Sequence, residues 1–309
     1  MSPTPDSDPL IEIIRFPEQV DLVVEGLHQA RLDWRAGHQR QAEQGVYFPS
    51  RQALQRISRE LAIALFPLRF GPPELTAQNE NAYVGAALES TLSQLAAQIR
   101  LERGYHEPDS DQSAIATQVE EIIGRFAAYL PTLRRLLDSD VDAGYAADPA
   151  ARSVDEVLLA YPSLTAVIHH RIAHSLYRLG APLVARVIAE IAHERTGIDI
   201  HPGARIGRSF FIDHGTGVVI GETAILGDRV RLYQGVTLGG DPDIPGGQAQ
   251  HAVARHPLIG DDVIIYANAS IIGRVTIGAG SRIGGNVWLR QDVPPGSLVE
   301  APAPTIRPI

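Results

Sequence analysis

The residues best suited to chemistry are one histidine and two aspartates in the second half of the chain. Asp213 and His214 are adjacent in a glycine-rich segment, and Asp199 lies a short distance upstream. A carboxylate beside an imidazole fixes the tautomer of the ring and stabilises the imidazolium that forms when the ring takes a proton. The group therefore predicts a general base that deprotonates an alcohol. The alternative is a turn histidine that serves only the fold.

A second candidate group, Arg255 and His256, ends a segment rich in glycine and proline. An arginine there could bind a substrate carboxylate through paired hydrogen bonds, although a solvated loop charge is the simpler alternative. Two further histidines, His170 and His174, have the spacing of a helical metal site. No third ligand accompanies them, so we expect polar residues on a helix face.

Four small residues would let an extended ligand lie along the backbone without obstruction from side chains: Gly239, Gly240, Ala267 and Gly285. Taken alone this pattern is weak, because glycines in such segments are more often turn residues.

The composition excludes several kinds of chemistry. The chain has no cysteine and no lysine, so all 27 basic residues are arginine. A cysteine acyl-enzyme, thiolate metal ligands, Schiff-base chemistry and Walker-type phosphate binding are thereby excluded. The net charge of -9 argues against nucleic acid or an anionic membrane as the main partner. We expect a cytoplasmic protein, because neither a signal peptide nor a long apolar run is present.

The apolar spacing changes from helical to six-residue near residue 198. A first array repeats every six residues and predicts an unbroken period: Ile200, Ile206, Ile212, Val218, Ala224, Val230 and Val236. A second array has the same spacing: Ile259, Ile265, Ile271, Ile277, Ile283 and Leu289. Such hexapeptide arrays stack short strands into a solenoid. We therefore predict a helical domain over 1–195, a β-helix domain over 196–298 with an extruded loop at 237–258, and a short tail at 299–309.

Within the helical part, the sequence also predicts where elements begin and end. Ser153 with Glu156 reads as a capping box, and Ser163 is placed as the N-cap of the next helix. The polar run Asp138–Arg152 predicts a break between helices.

A solenoid of about four turns exposes flat faces that three subunits packed side by side would cover. We therefore expect a trimer with sites in the grooves between subunits.

Several segments resemble the serine O-acetyltransferase family of hexapeptide-repeat acyltransferases. The resemblance covers residues 145–298 and is carried by Tyr161-Pro162-Ser163-Leu164, Arg171-Ile172-Ala173-His174, Thr196-Gly197-Ile198-Asp199-Ile200-His201-Pro202, Asp213-His214-Gly215-Thr216-Gly217, Gly221-Glu222-Thr223, Val236-Thr237-Leu238-Gly239-Gly240 and Arg255-His256-Pro257.

The resemblance implies a left-handed parallel β-helix and an N-terminal helical domain that joins trimers into larger assemblies, so that a homotrimer and a dimer of trimers both stay open. It implies transfer of an acetyl group from the co-substrate acetyl-CoA to L-serine, the first step of cysteine biosynthesis, with no metal. His214 would be the general base and Asp199 its partner. The remaining implied residues are those that hold serine (Asp148, Asp213, Arg255 and His256) and those that line the acetyl-CoA groove (Gly239, Gly240, Ala267 and Gly285).

The resemblance also implies two further partners. Cysteine would act as a feedback inhibitor at the serine site, and O-acetylserine sulfhydrylase would bind a C-terminal isoleucine, here Ile309. The loop between Gly240 and Arg255 is longer than in many members of the family, which leaves its contacts open.

Three alternatives stay open at the level of sequence. The first is an acetyl-CoA transferase of the same scaffold that acts on another hydroxyl or amine. The second is a zinc hydratase resembling the γ-class carbonic anhydrases, with His214, His251 and His256 as ligands. The third is a non-catalytic assembly protein.

Overall fold

The computed structural model describes residues 18–37, 48–107, 110–241 and 253–302. The chain divides into two compact units between Tyr47 and Phe48. The first unit contributes one described helix, α1 (Glu18–Gly37), whose described side chains are exposed. The second unit contains the other helices and the whole solenoid.

Seven helices of the second unit precede its strands: α2 (Arg51–Leu65), α3 (Pro67–Phe70), α4 (Glu80–His106), α5 (Gln112–Ala147), α6 (Val154–Ala160), α7 (Pro162–Arg178) and α8 (Pro182–Thr196). They share a core in which Leu54, Leu61, Leu95, Phe126 and Leu133 are fully buried. Burial of these apolar faces supplies most of the stability of such helices. None of the helices in the described ranges is both long enough and apolar enough to cross a bilayer.

Helix α5 continues through most of the segment for which the sequence predicts a break. The helix extends as far as Ala147 because Leu137, Val141 and Gly144 continue its buried stripe at helical spacing. The polar residue Asp140 is also buried and is compensated by an ion pair rather than by solvent. The break predicted over Asp138–Arg152 is therefore wrong as far as Ala147, and only residues 148–153 separate α5 from α6.

The helix ends follow local rules in part. Ser153 Oγ accepts a hydrogen bond from Glu156 N at 3.0 Å, as the predicted cap requires. Helix α7, however, starts at Pro162 with Tyr161 as its N-cap, so the placement of Ser163 as the cap is wrong. Proline favours the first helical position because its missing N–H has no partner there.

Within the described ranges, fourteen short parallel strands form a triangular prism with three faces. In chain order they are β1 (Asp199–Ile200), β2 (Arg205–Ile206), β3 (Phe211–Asp213), β4 (Val219–Ile220), β5 (Ile225–Leu226), β6 (Arg231–Tyr233), β7 (Thr237–Gly239), β8 (Leu258–Ile259), β9 (Ile264–Ile265), β10 (Ser270–Ile272), β11 (Thr276–Ile277), β12 (Arg282–Ile283), β13 (Trp288–Leu289) and β14 (Leu298–Val299). Face A contains β1, β4, β7, β10 and β13; face B contains β2, β5, β8 and β11; face C contains β3, β6, β9, β12 and β14. The prediction of helices followed by a parallel β-solenoid is confirmed.

The chain runs around the prism from face A to face B to face C. We call the corner where face C passes into face A edge CA, and the corner where face A passes into face B edge AB. Strand β7 occupies Thr237–Gly239, so the stack continues three residues into the range predicted as an extruded loop. The later part of that loop, 242–252, lies outside the described residues.

The six-residue period slips at the corner that carries His214. Ile200 stacks beneath Ile220 and Ile212 beneath Leu232, so the inward position after Ile212 is Ile220, about eight residues on instead of six. The expectation of an unbroken period is therefore wrong. Val218 matches the period because it fills a second buried position beside the corner. The lengthened turn projects from edge CA and carries His214.

A buried ion pair joins the helices to the first turn of the solenoid. Arg171 donates two hydrogen bonds of 3.0 Å to Asp140, and its other contacts are the carbonyl oxygens of Ile206 at 2.5 Å and Gly207 at 2.6 Å. Asp140 also accepts from Phe210 N at 2.9 Å. Every charged atom is thus compensated, as a buried pair requires. This connection fixes α5 and α7 relative to the prism.

Candidate active site

His214 lies at edge CA in a left-handed conformation, with φ of 59°. Its side chain is 73% exposed, and Nε2 lies 3.9 Å from Oδ1 of Asp213. A non-glycine residue in this conformation needs support from its surroundings, and such positions are common at functional turns. The turn therefore presents an accessible imidazole beside a carboxylate, as the sequence predicts.

Asp213 is held in place by Arg231, which sequence reasoning did not identify. Arg231 donates to Oδ2 of Asp213 at 2.5 Å and to the carbonyl of Ala147 at 2.8 Å. Strand register explains this contact, because Arg231 sits on β6 directly above β3. The guanidinium therefore connects Asp213 to the end of α5.

Asp148 follows α5 and faces the same edge. It accepts hydrogen bonds from the hydroxyl of Tyr161 and, at 2.8 Å, from Ala150 N. The hydrogen bond from Tyr161 is the main cause that lowers the pKa of Asp148, and the nearby charges of Arg231 and His214 add to it. The same hydrogen bond raises the pKa of Tyr161 to about 12. Asp148 is therefore an anion at neutral pH, close to His214.

Asp199 lies on the same edge, in the first turn of the prism. Asp199 N donates to Val218 O at 2.9 Å, and Gly217 N donates to Gly197 O at 2.8 Å, so β1 runs directly beneath the turn of His214. Among the described residues, the Asp199 carboxylate forms no hydrogen bond or ion pair with His214. It lies within 4.8 Å of side-chain atoms of Glu190 and His193. The pairing of Asp199 with His214 stays a prediction.

His256 lies at edge AB, where its ring is buried and ordered by Thr223. Nδ1 accepts a hydrogen bond from Thr223 N at 3.1 Å and lies 2.9 Å from Thr223 Oγ1. Thr223 Oγ1 in turn accepts the backbone N–H groups of Arg255 and His256. With Nδ1 as an acceptor, the hydrogen-bond network assigns the proton of the neutral ring to Nε2.

Burial, followed by the positive charge of Arg255, lowers the pKa of His256 to about 4. The ring is therefore neutral at physiological pH and can donate one hydrogen bond through Nε2.

Arg255 is oriented by the carboxylate of Glu222, which is in turn held by Tyr177. Glu222 stands in a motif of the sequence but was assigned no role, and Tyr177 stands outside those motifs. The Arg255 guanidinium donates to Glu222 at 3.0 Å, and Tyr177 OH donates to the same carboxylate at 2.9 Å. Burial tends to raise the pKa of Glu222, but these two hydrogen bonds outweigh it and the pKa is lowered. The position of Glu222 and Thr223 in the turn at edge AB, between β4 and β5, is the signal that could have identified them.

Two glycines shape the surroundings of His256. A Cβ at Gly221 would lie 1.9 Å from Cδ2 of the His256 ring, so the ring packs flat against the backbone there. A Cβ at Gly240 would lie 3.4 Å from Nε2 of His256 and from the Arg255 side chain, which is an ordinary contact. Gly221 therefore permits the ring position, whereas Gly240 leaves open space in front of Nε2.

The four small residues predicted to line a ligand groove are divided between the two edges. Ala267 and Gly285 stack at edge CA, where a Cβ on Gly285 would lie 3.2 Å from Ala267 O. Gly239 ends strand β7, and Gly240 follows it at the start of edge AB. The candidate site residues divide in the same way, since Asp148, Asp199, Asp213 and His214 belong to edge CA, and Arg255 and His256 to edge AB.

Comparison with known proteins identifies the family. The family described as "Bacterial transferase hexapeptide (six repeats)" matches residues 256–291. The plasmid serine acetyltransferase of Synechococcus elongatus is 48% identical over 293 residues, which is 93% of this chain and 92% of that protein. The chain belongs to the serine acetyltransferase family.

Solved serine acetyltransferases share the fold. Isoform 3 of Entamoeba histolytica, in complex with cysteine, superposes with a TM-score of 0.70 at 34% identity and covers 82% of this chain and 83% of its own. The Neisseria gonorrhoeae enzyme in complex with serine gives a TM-score of 0.51 at 34% identity, over 80% of this chain and 93% of its own. The predicted family and the predicted acyltransferase class are confirmed.

The family disfavours the zinc-hydratase and assembly-protein alternatives. His251, one of the three ligands that the zinc-hydratase alternative requires, lies outside the described residues.

Proposed function

We propose that this chain transfers the acetyl group of acetyl-CoA to the hydroxyl of L-serine, with His214 as the general base. The observation that carries the proposal is the division of the candidate residues between the two edges that border face A. Edge CA offers carboxylates and an accessible imidazole, and edge AB offers a guanidinium and a neutral imidazole. An amino acid presents the complementary groups.

The complete site requires a second copy of the chain. Edges CA and AB are separated by the width of face A, so the two groups cannot meet within one prism. In a trimer with face A turned toward the symmetry axis, edge CA of one subunit lies beside edge AB of the next. Three equivalent sites result, each in a groove between neighbours.

In such a groove the two ends of serine are recognised separately. Asp148 and Asp213 bind the ammonium group from edge CA. Arg255 and the Nε2–H of His256 bind the carboxylate from edge AB, where the guanidinium can supply two parallel hydrogen bonds. Recognition of both ends favours an amino acid over a sugar or a simple amine as the acceptor.

The reaction then needs one proton transfer in each direction. His214 takes the proton of the serine hydroxyl as the oxygen attacks the thioester carbonyl carbon, and it returns that proton to the sulfur of coenzyme A as the C–S bond breaks. Asp199, beneath the same turn, stabilises the imidazolium that forms. Direct attack needs no acyl-enzyme, consistent with the absence of cysteine from the chain.

The small residues leave a path for the other substrate. Ala267 and Gly285 on one subunit face Gly239 and Gly240 on the next, and acetyl-CoA lies between them. Cysteine carries the same ammonium and carboxylate as serine, so we propose that it competes at this site, as the cysteine-bound relative suggests. The proposed contact of Ile309 with O-acetylserine sulfhydrylase involves residues outside the described ranges.

The decisive experiment measures release of coenzyme A from acetyl-CoA with and without L-serine. We expect serine-dependent release, and we expect His214→Ala to lower kcat by at least about 100-fold, because general-base catalysis contributes that much. His106→Ala, which changes a histidine on α4 outside both edges, serves as the matched control. Homoserine or a sugar outcompeting serine in kcat/KM would overturn the acceptor, and an active His214→Ala enzyme would overturn the base.

A further inference from the structure

A concave basic surface lies between α5, α7 and face B, away from both edges of face A. A cavity of about 350 Å³ is lined by Arg171, His174, Arg178 and Arg205, and an adjacent cavity of about 300 Å³ shares His174, Arg178 and Tyr129 with it. We call these five residues the basic groove. None of them belongs to the proposed serine or acetyl-CoA site.

The charges in the basic groove are not balanced by the protein. Arg171 is neutralised by Asp140, but within the described ranges Arg178 and Arg205 form no ion pair and no side-chain hydrogen bond. No aspartate or glutamate lines either cavity. The whole chain has a net charge of -9, so a concave surface with two unneutralised guanidiniums and no carboxylate has the opposite charge to the chain as a whole. Like charges held together in this way favour the binding of an anion.

His174 shows that the arginines converge on one place. Its Nδ1 donates to Pro202 O at 2.8 Å, which leaves Nε2 as an acceptor in the neutral ring. Burial lowers the pKa of His174, the Pro202 hydrogen bond opposes this, and the positive charges of Arg178, Arg171 and Arg205 lower it further. All three guanidiniums therefore act on the same ring.

We propose that the basic groove binds a small tetrahedral dianion, sulfate or phosphate, between the side chains of Arg178 and Arg205. Guanidinium groups bind such oxyanions through paired charge-assisted hydrogen bonds. The cavity has room for the anion together with bridging water. His174 borders the bound anion and gains a favourable charge interaction whenever it is protonated.

The groove stays open to solvent in the assembly proposed above. Face A turns toward the symmetry axis, so face B, which carries Arg205, faces outward. The proposal needs neither serine nor acetyl-CoA, and its failure would leave the proposed reaction untouched.

Isothermal titration calorimetry of the full chain tests the proposal, with sodium sulfate and sodium phosphate as separate titrants at an ionic strength held constant with sodium chloride. We expect saturable binding of at least one dianion. The variant Arg178→Gln/Arg205→Gln should weaken the Kd by at least about tenfold, because it removes both charge-assisted contacts. Arg178→Lys/Arg205→Lys keeps the charges but loses the paired hydrogen bonds, so its affinity should fall between those of the wild type and the glutamine variant.

The matched control is Arg56→Gln/Arg100→Gln, which removes the same charge from two exposed helix positions outside the groove. It should bind as the wild type does. Heat no different from that of chloride, undiminished binding by the groove variant, or an equal loss in the control would each overturn the proposal. The single variants Arg178→Gln and Arg205→Gln, with circular dichroism to verify folding, give the same decision if the double variant does not fold.

Discussion

Mixed trimers test whether each active site is shared between two subunits. The variant His214→Ala disables edge CA of a chain, and His256→Asn disables edge AB. Each variant alone should retain no more than about 1% of the wild-type activity. Because the two edges lie on opposite sides of face A, a chain of one kind beside a chain of the other can still form an intact groove.

The expected recovery follows from the geometry. If equal amounts of the two chains assemble at random, a groove is intact when its edge CA comes from a His256→Asn chain and its edge AB from a His214→Ala chain, which occurs for about one groove in four. Chains that carry different affinity tags, refolded together and purified through both tags, form only mixed trimers, in which about one groove in three is intact. They should therefore show activity far above either parent. Serine-dependent release of coenzyme A is the readout.

A second mixture provides the control. When wild-type chains assemble with an equal amount of chains that carry both substitutions, shared sites retain about a quarter of the activity expected if every chain were wild type, whereas sites within one chain would retain about half. No recovery in the first mixture, together with half the activity in the second, would refute the division of the site between subunits.

Two further predictions concern His256. Gly221→Ala should lower kcat/KM for serine about 100-fold. The added Cβ would lie 1.9 Å from the His256 ring, so the ring would have to move by roughly 1.5 Å, and a misplacement of that size has such an effect. The control is Gly124→Ala, whose Cβ meets nothing within 4 Å, and full activity of Gly221→Ala would contradict the role of the ring. The free energy of unfolding should fall as the pH falls from 6.5 to about 4, because the unfolded chain protonates this histidine first. Urea unfolding at a fixed chain concentration should show a smaller decrease for His256→Gln, and equal pH slopes would contradict the buried neutral ring.

The repeats of the solenoid could be predicted from the sequence because each strand buries one aliphatic residue at a regular interval. The slip at edge CA could not be predicted from the sequence. Val218 and Ala224 continue the six-residue spacing, whereas Ile220 and Leu226 are the residues that stack on Ile200 and Ile206. Both sets are aliphatic and buried, so hydrophobicity alone does not distinguish them. Only the pairing of strands across successive turns reveals the two additional residues beside His214.

Contacts between distant segments account for the other differences. The sequence around Asp138 resembles a loop because its polar residues have no visible partners, yet Asp140 meets Arg171 from another helix. For the same reason His170 and His174 were expected on a polar helix face, whereas His170 is buried and His174 donates to Pro202 O. Local spacing predicts elements, but it does not predict which buried polar groups will find partners in the fold.

The same distinction explains why the candidate residues were predicted more readily than the groups that orient them. His214, Arg255 and His256 stand in short motifs whose chemistry is visible in the sequence. Arg231 reaches Asp213 only because the two lie in adjacent turns of the prism, and Thr223 reaches His256 only because the chain returns to edge AB after the long loop. Within one chain these contacts hold the residues of each half of the candidate site, since every orienting group belongs to the same chain as the residue it holds. In the proposed trimer the remaining freedom lies between subunits, and we therefore expect the packing of one prism against the next to determine how closely His214, the proposed general base, approaches the bound amino acid.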